Sequence, residues 1–147
     1  MVPLPLTSEN VIENGRVILP ARFRRKLFEL GIRSVVISRG FEGSLYIHLP
    51  EDWKNFVDKL NRLPKAKARG LIRKLMFGAE EAGIDKQGRL LISPLLREYA
   101  GFSRDVVILG LPDRMEIWDK KRWLEYDSKI SFEEISEVLD SSSSNEG

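Results

Sequence analysis

Arg16 and Arg89 stand in the same local sequence. Gly15-Arg16-Val17-Ile18-Leu19 recurs 73 residues later as Gly88-Arg89-Leu90-Leu91-Ile92, and each copy has a further arginine eight positions on, Arg24 and Arg97. A guanidinium is a planar fork that stays charged and can bond an oxyanion, or the O6/N7 edge of guanine, through two parallel N–H groups. An ammonium cannot do this. Asp85, four residues before Arg89, is placed to orient that fork, whereas the first copy has Ile12 at the same offset. The same pair has a plainer use, in which Asp85 and Arg89 only staple their own hairpin. Asn14, Lys86 and Gln87 fall at the turn tips beside the arginines and are candidate auxiliary donors.

Other chemistries have little to work with. The 147 residues contain no Cys and a single His, His48. Thiolate metal sites, Cys nucleophiles, disulfides and His-dependent triads are therefore excluded. His48 lacks companion ligands and reads as a strand-end residue, so neither a metal nor a cofactor is expected. Glu80, Glu81 and Asp85 have no base partner and no glycine-rich phosphate cradle, which leaves an enzyme reading without a nameable reaction.

The elements that would hold the arginines repeat as well. A strand over residues 4–12, a turn at Glu13-Asn14-Gly15 and a strand Arg16–Leu19 make the first hairpin, with Gly15 able to take positive φ. A helix Ala21–Leu30 follows, with Pro20 at its start and Gly31 as its stop. The second copy runs Ala79–Ile84, a turn at residues 85–88, Arg89–Ile92, then a short helix with Ser93 as N-cap, Pro94 at its first position and Gly101 closing it. Strands at Ser34–Ser38 and Leu45–Leu49 answer to Asp105–Leu109 and Met115–Asp119. After each second strand comes an aromatic pair, Trp53 with Phe56 and Trp123 with Tyr126. Repetition over this length implies a duplicated supersecondary unit.

The spacing predicts a helix from Pro50 to near Pro64 and another over Lys65–Phe77. The second places Ala68, Leu71, Ile72, Leu75 and Met76 on one face and Lys65, Lys67, Arg69, Arg73 and Lys74 on the other. Trp53, Trp118 and Trp123 read as core or subunit interface. A helix from Trp123 could continue weakly through Ile130 and Phe132, a short amphipathic helix is possible over 133–140, and Ser141–Gly147 reads as disordered.

The net charge of +2 hides a segregation: residues 1–124 hold 23 basic and 15 acidic side chains, residues 125–147 one basic and seven acidic. A basic body suggests a polyanionic partner, nucleic acid first, although solubilising surface charge explains it equally well. No run of about 18 apolar residues or signal-like N-terminus is present, so neither export nor membrane spanning is expected.

Residues 85–92, then 96–101, then Glu116-Ile117-Trp118-Asp119 with Trp123, resemble the second half of the bacterial MraZ family. Gly15-Arg16 with Leu19-Pro20-Ala21 and Phe23-Arg24 is similar to its first half, and the resemblance covers roughly residues 7–126. The chain departs from the family pattern at Ile12, which replaces an acid, at Asn14, which replaces Lys, and at Pro3 and Pro5. Proline cannot donate to a ladder, which bears on how the first strand pairs.

The resemblance implies an α+β fold, a double-split AbrB-like β-barrel built from two pseudo-symmetric hairpin/helix repeats with flanking helices. It divides the chain at 4–56, 57–77, 78–126 and a tail at 127–147. It further implies a sequence-specific transcriptional regulator in the cytoplasm, associated with the nucleoid, that forms ring-shaped homo-oligomers. Its partner would be double-stranded DNA carrying direct repeats upstream of a division and cell-wall gene cluster. On this resemblance Arg16 and Arg89 are the DNA contacts, with Asn14, Lys86 and Gln87 as helpers and Asp85 in support. Arg24 and Arg97, in equivalent helical positions, are expected to lock each helix to the barrel through an ion pair, or else to touch phosphate. The alternative is an antitoxin-like interaction module whose acidic tail binds a basic protein partner.

Overall fold

A computed structural model describes residues 7–145. The beginning of the strand expected over 4–12, Pro3 and Pro5, and Glu146 and Gly147 lie outside the described residues. Eight strands and six helices follow one grammar twice. The first half runs β1 (Thr7–Glu13), β2 (Arg16–Ile18), α1 (Ala21–Glu29), β3 (Ser34–Arg39), β4 (Leu45–His48), α2 (Pro50–Asn61) and α3 (Lys65–Met76). The second runs β5 (Glu80–Gly83), β6 (Arg89–Leu91), α4 (Pro94–Ala100), β7 (Asp105–Gly110), β8 (Met115–Asp119), α5 (Lys120–Ser128) and α6 (Phe132–Asn145).

Turn chemistry sets the local boundaries. Asn14 and Gly15 both have positive φ, 52° and 74°. That is the signature of a two-residue I′ turn, whose twist matches a right-handed hairpin. At the end of α1, Gly31 takes a left-handed φ of 73°. Its N–H reaches the Phe28 carbonyl and the Ile32 N–H reaches Leu27, which together satisfy carbonyls the helix end would leave bare. Ser93 caps α4 by accepting the Leu96 N–H at 3.3 Å. Pro94 follows at the first helical position, where its missing N–H costs nothing.

The strands order as β5-β3-β4-β8-β7-β1-β2-β6, with the eight curling into a nearly closed barrel. The halves are interleaved. β1 pairs with β7 of the other half, β5 pairs with β3, and β2 and β6 meet antiparallel with Val17 opposite Leu90. A pseudo-two-fold relation thus runs between Val17 and Leu90. Alternation along each strand sends Val17, Leu19, Leu90 and Ile92 into a core with Phe23, Leu27, Leu96, Ile37 and Ile108. Each such aliphatic, fully buried, stabilises by roughly 1.5–3 kcal/mol.

Each half also closes one end with an aromatic triad. Trp118, Trp123 and Tyr126 pack with ring centroids 4.8–6.1 Å apart. His48, Trp53 and Phe56 do the same at 5.2–5.9 Å, so the imidazole takes the place of an indole. His48 does sit at a strand end, and it is 2% exposed with both ring nitrogens unpartnered among the described residues. Burial and then the Arg114 charge push its pKa down to about 4, which keeps the ring neutral.

Three expectations are corrected. The helix begun near Trp123 stops at Ser128, before Ile130, and a separate α6 starts at Phe132. α6 then runs through Ser141–Ser144, expected to be disordered, to Asn145 instead of ending at residue 140, its first turn favoured by Glu133 and Glu134 at the positive end of the macrodipole. Leu71, assigned to the inner face of α3, is 49% exposed, because only Ala68 and Leu75 of that face are buried.

Candidate nucleic-acid interface

The β2–β6 pair is a two-stranded ribbon with one buried face and one free face. Val17 and Leu90 point inward, so Arg16, Ile18, Arg89 and Leu91 share the outer side. Arg16 lies opposite Leu91 and Arg89 opposite Ile18, which puts the arginines on one diagonal and the aliphatics on the other. Diagonal neighbours of this kind are about 7–8 Å apart. Ile18 and Leu91 are 47% and 54% exposed. Sequence reasoning passed over these two, although the period-two alternation from each arginine marks them.

The two arginines are held differently. Asp85 Oδ1 accepts the backbone N–H of Gln87 at 2.9 Å and of Arg89 at 2.8 Å, and Oδ2 accepts Arg89 Nε at 2.8 Å. The Arg89 backbone N–H, seconded by the guanidinium, holds the Asp85 carboxyl below the usual carboxylate range. One carboxylate therefore shapes the turn and orients the fork, while the terminal nitrogens of Arg89 keep no partner among the described residues. Arg16 has only a 3.3 Å bond from Nη1 to the Asn14 carbonyl. Ile12, at the position equivalent to Asp85, is buried in the core. Asn14, Lys86 and Gln87 are exposed at the two turn tips, which lie at opposite ends of the ribbon.

Arg24 and Arg97 each carry their guanidinium to the turn of the opposite half. Arg24 Nη1 donates to the Gln87 carbonyl at 3.1 Å, at the tip of the other half's hairpin. Arg97 packs its guanidinium against Gly15 of the first half's turn, and its buried Nε has no partner among the described residues. Neither arginine has a carboxylate partner among the described residues. The strand exchange carries each helix to the opposite turn, where the Gln87 carbonyl is the acceptor for Arg24.

Lys86 stands at one end of the ribbon and the neutral Asn14 at the other, and both flanks mix charges. Shallow depressions beside it are lined by Glu9, Asp105 and Lys120 next to Ile18, with Lys120 paired to Glu9 at 3.5 Å, and by Glu80, Glu81 and Arg97 next to Leu91. Among the described residues no three His, Asp or Glu side chains gather to hold a metal, and no helix is long and apolar enough to cross a membrane.

The MraZ protein family model, described as antitoxin-like, matches residues 10–73 and again 75–141. The chain belongs to the MraZ family. The two matched segments coincide with the two halves of the barrel, as expected for a family built on a duplication. Three relatives, each named a transcriptional regulator MraZ, come from Thermoanaerobacter sp. (strain X514), Thermoanaerobacter pseudethanolicus and Heliobacterium modesticaldum. They are 45%, 47% and 42% identical to this chain, over 86%, 86% and 85% of it and 88%, 88% and 87% of the relative.

Proposed function

We propose that this MraZ-family chain is a sequence-specific DNA-binding transcriptional regulator, not an enzyme, whose β2–β6 ribbon enters the major groove. The observation that carries this reading is the symmetric placement of Arg16 and Arg89 on the ribbon's free face. A major groove admits a two-stranded ribbon. Arginines rooted on backbone positions about 7–8 Å apart can send their forks to base pairs roughly two steps apart, at a rise of about 3.4 Å per step. Ile18 and Leu91 suit the thymine methyl between them. Asn14 and Lys86 at the two turn tips are placed to bond phosphate at either end of the ribbon, which positions it across the groove. Arg24 and Arg97 stiffen the turns. A single ribbon makes few contacts, so the chain acts as a homo-oligomer, a ring, on repeated elements, where avidity multiplies modest affinities. Such a protein works in the cytoplasm, on the nucleoid.

Sequencing of fragments selected from random DNA by the purified protein tests this. A repeated element should be enriched by the wild type and lost with Arg16→Ala/Arg89→Ala. No enrichment by the folded wild type overturns the reading.

A further inference from the structure

α3 and α6 occupy the same place in the two repeats, each joined to the preceding helix by three residues, 62–64 and 129–131. They have opposite fates. α3 folds back and buries Ala68 and Leu75, whereas every α6 residue from Phe132 to Ser142 is exposed. Yet α6 is amphipathic. Phe132, Ile135, Val138 and Leu139, at 91%, 47%, 65% and 62% exposure, form one stripe at helical spacing, and Glu133, Glu134, Glu137 and Asp140 lie outside it. An apolar stripe left wholly in water marks an interaction surface.

A complementary groove lies between the end of α2, α3 and the turn after β3, with a volume of about 550 Å³. Phe41, Leu63 and Leu71, 54%, 40% and 49% exposed, line it. Arg39 and Lys74 stand at its rim, and Glu42 is the acid of the lining. The Arg39 guanidinium lies over the rings of Phe77 and Tyr99, at 5.1 and 5.4 Å, and donates to the Lys74 carbonyl. Its buried Nε has no acceptor among the described residues. α3, which forms one wall, contains five basic residues and no acid, whereas α6 contains acids and no base.

We propose that α6 of one copy seats its apolar stripe in this groove of a second copy, with its carboxylates against Arg39, Lys74 and the basic side of α3. Helix-in-groove docking suits four anchors at this spacing. A second copy is the occupant because the opposite charges belong to equivalent helices of one chain, and α6 stands clear of its own groove. The contact joins two different surfaces, so its repetition closes a ring or extends a chain. The proposal rests on the self-association put forward above and specifies the surface responsible for it.

Because the chain has no cysteine, a pair of introduced thiols can report the contact. Val138→Cys and Leu63→Cys full-length variants, one carrying a mass tag, are mixed and oxidised. A tagged-to-untagged disulfide dimer, formed in greater yield than either variant gives alone, is expected. Leu71→Asp in the groove copy should lower that yield by about tenfold, as for the loss of one apolar anchor. Leu71 is exposed, so folding survives, and circular dichroism verifies it. Phe132→Asp/Leu139→Asp, which touches no core residue, should lower the yield equally and reduce the sedimenting species to a smaller one. A yield indifferent to both variants overturns the proposal, as does a large assembly retained by the α6 variant. A disulfide confined within the Leu63→Cys/Val138→Cys double variant at high dilution assigns α6 to its own groove and also overturns it. None of these readouts uses DNA, so failure of DNA selection and failure of docking are separate results.

Discussion

The two hairpins reach the same shape by different means. In the first, β1 and β2 pair directly, Ile12 opposite Val17 and Glu13 opposite Arg16, and the Asn14-Gly15 turn needs no side-chain support. In the second, the link is a backbone bond from the Asp85 N–H to the Arg89 carbonyl at 3.1 Å, with the Asp85 carboxylate gathering the turn around itself. The acid that shapes the second turn also aims its arginine. In the first half the ladder does the shaping, the acid's place is given to the core as Ile12, and Arg16 is left unaimed. Turn stability and arginine orientation are thus coupled in one half and separate in the other.

That difference is tested most strongly by DNA binding. Arg89→Ala should cost roughly 1–3 kcal/mol per site and relax sequence preference, compounded through an oligomer, and Arg89→Lys should fail nearly as badly since the fork is gone. Arg16→Ala should instead weaken all sequences alike and lower the salt slope by about one unit. Titrating cognate and scrambled duplexes at several salt concentrations separates the two. Equal loss of discrimination from both variants would erase the distinction. Unchanged affinity with a lowered melting temperature in Arg89→Ala would reduce Asp85 and Arg89 to a staple.

The aromatic triads give the next largest effect. The folded pKa of His48, about 4, lies below its ordinary 6.5. Between these values the unfolded chain binds the extra proton, so stability is complete above about pH 6.5 and falls as pH drops toward 4. The loss should be roughly 2–3 kcal/mol. His48→Phe should flatten that slope in urea denaturation series, and Trp118→Phe in the other triad should leave it. Smaller again is the effect of Asp85. Its folded pKa is depressed, so its contribution is whole above the ordinary aspartate range and fades as pH falls through the lowered value. A carboxyl NMR titration should find the midpoint lowered in wild type and only partly restored in Arg89→Ala, where the backbone N–H remains; an unshifted midpoint in wild type, or full restoration in Arg89→Ala, would change which partner is held responsible. Smallest of all, removal of residues 141–147 deletes no apolar side chain and should move stability by less than about 0.5 kcal/mol.

Much of this was legible in the chain. Gly15, Gly31, Ser93-Pro94 and Gly101 punctuate elements whose ends fall within about a residue of expectation, because caps and turns are local chemistry. The outward direction of Arg16 and Arg89 follows from alternation with Val17 and Leu90. The exchange of strands between halves is a long-range choice that no local pattern encodes. Hence the ion pairs expected of Arg24 and Arg97 do not form among the described residues, and each guanidinium meets the opposite turn instead. The exposure of Leu71 likewise depends on how little of α3 its neighbours cover.

The interleaving of the halves has a consequence for polarity. A homodimer of one such repeat would carry every substitution twice, and its ribbon would be indifferent to being turned end for end. Joined in a single chain, the halves can differ, with Ile12 on one side and Asp85 on the other. The ribbon then has a head and a tail. On the proposed function, a ribbon with a direction suits elements that all point the same way along a duplex, where a true two-fold would favour palindromes.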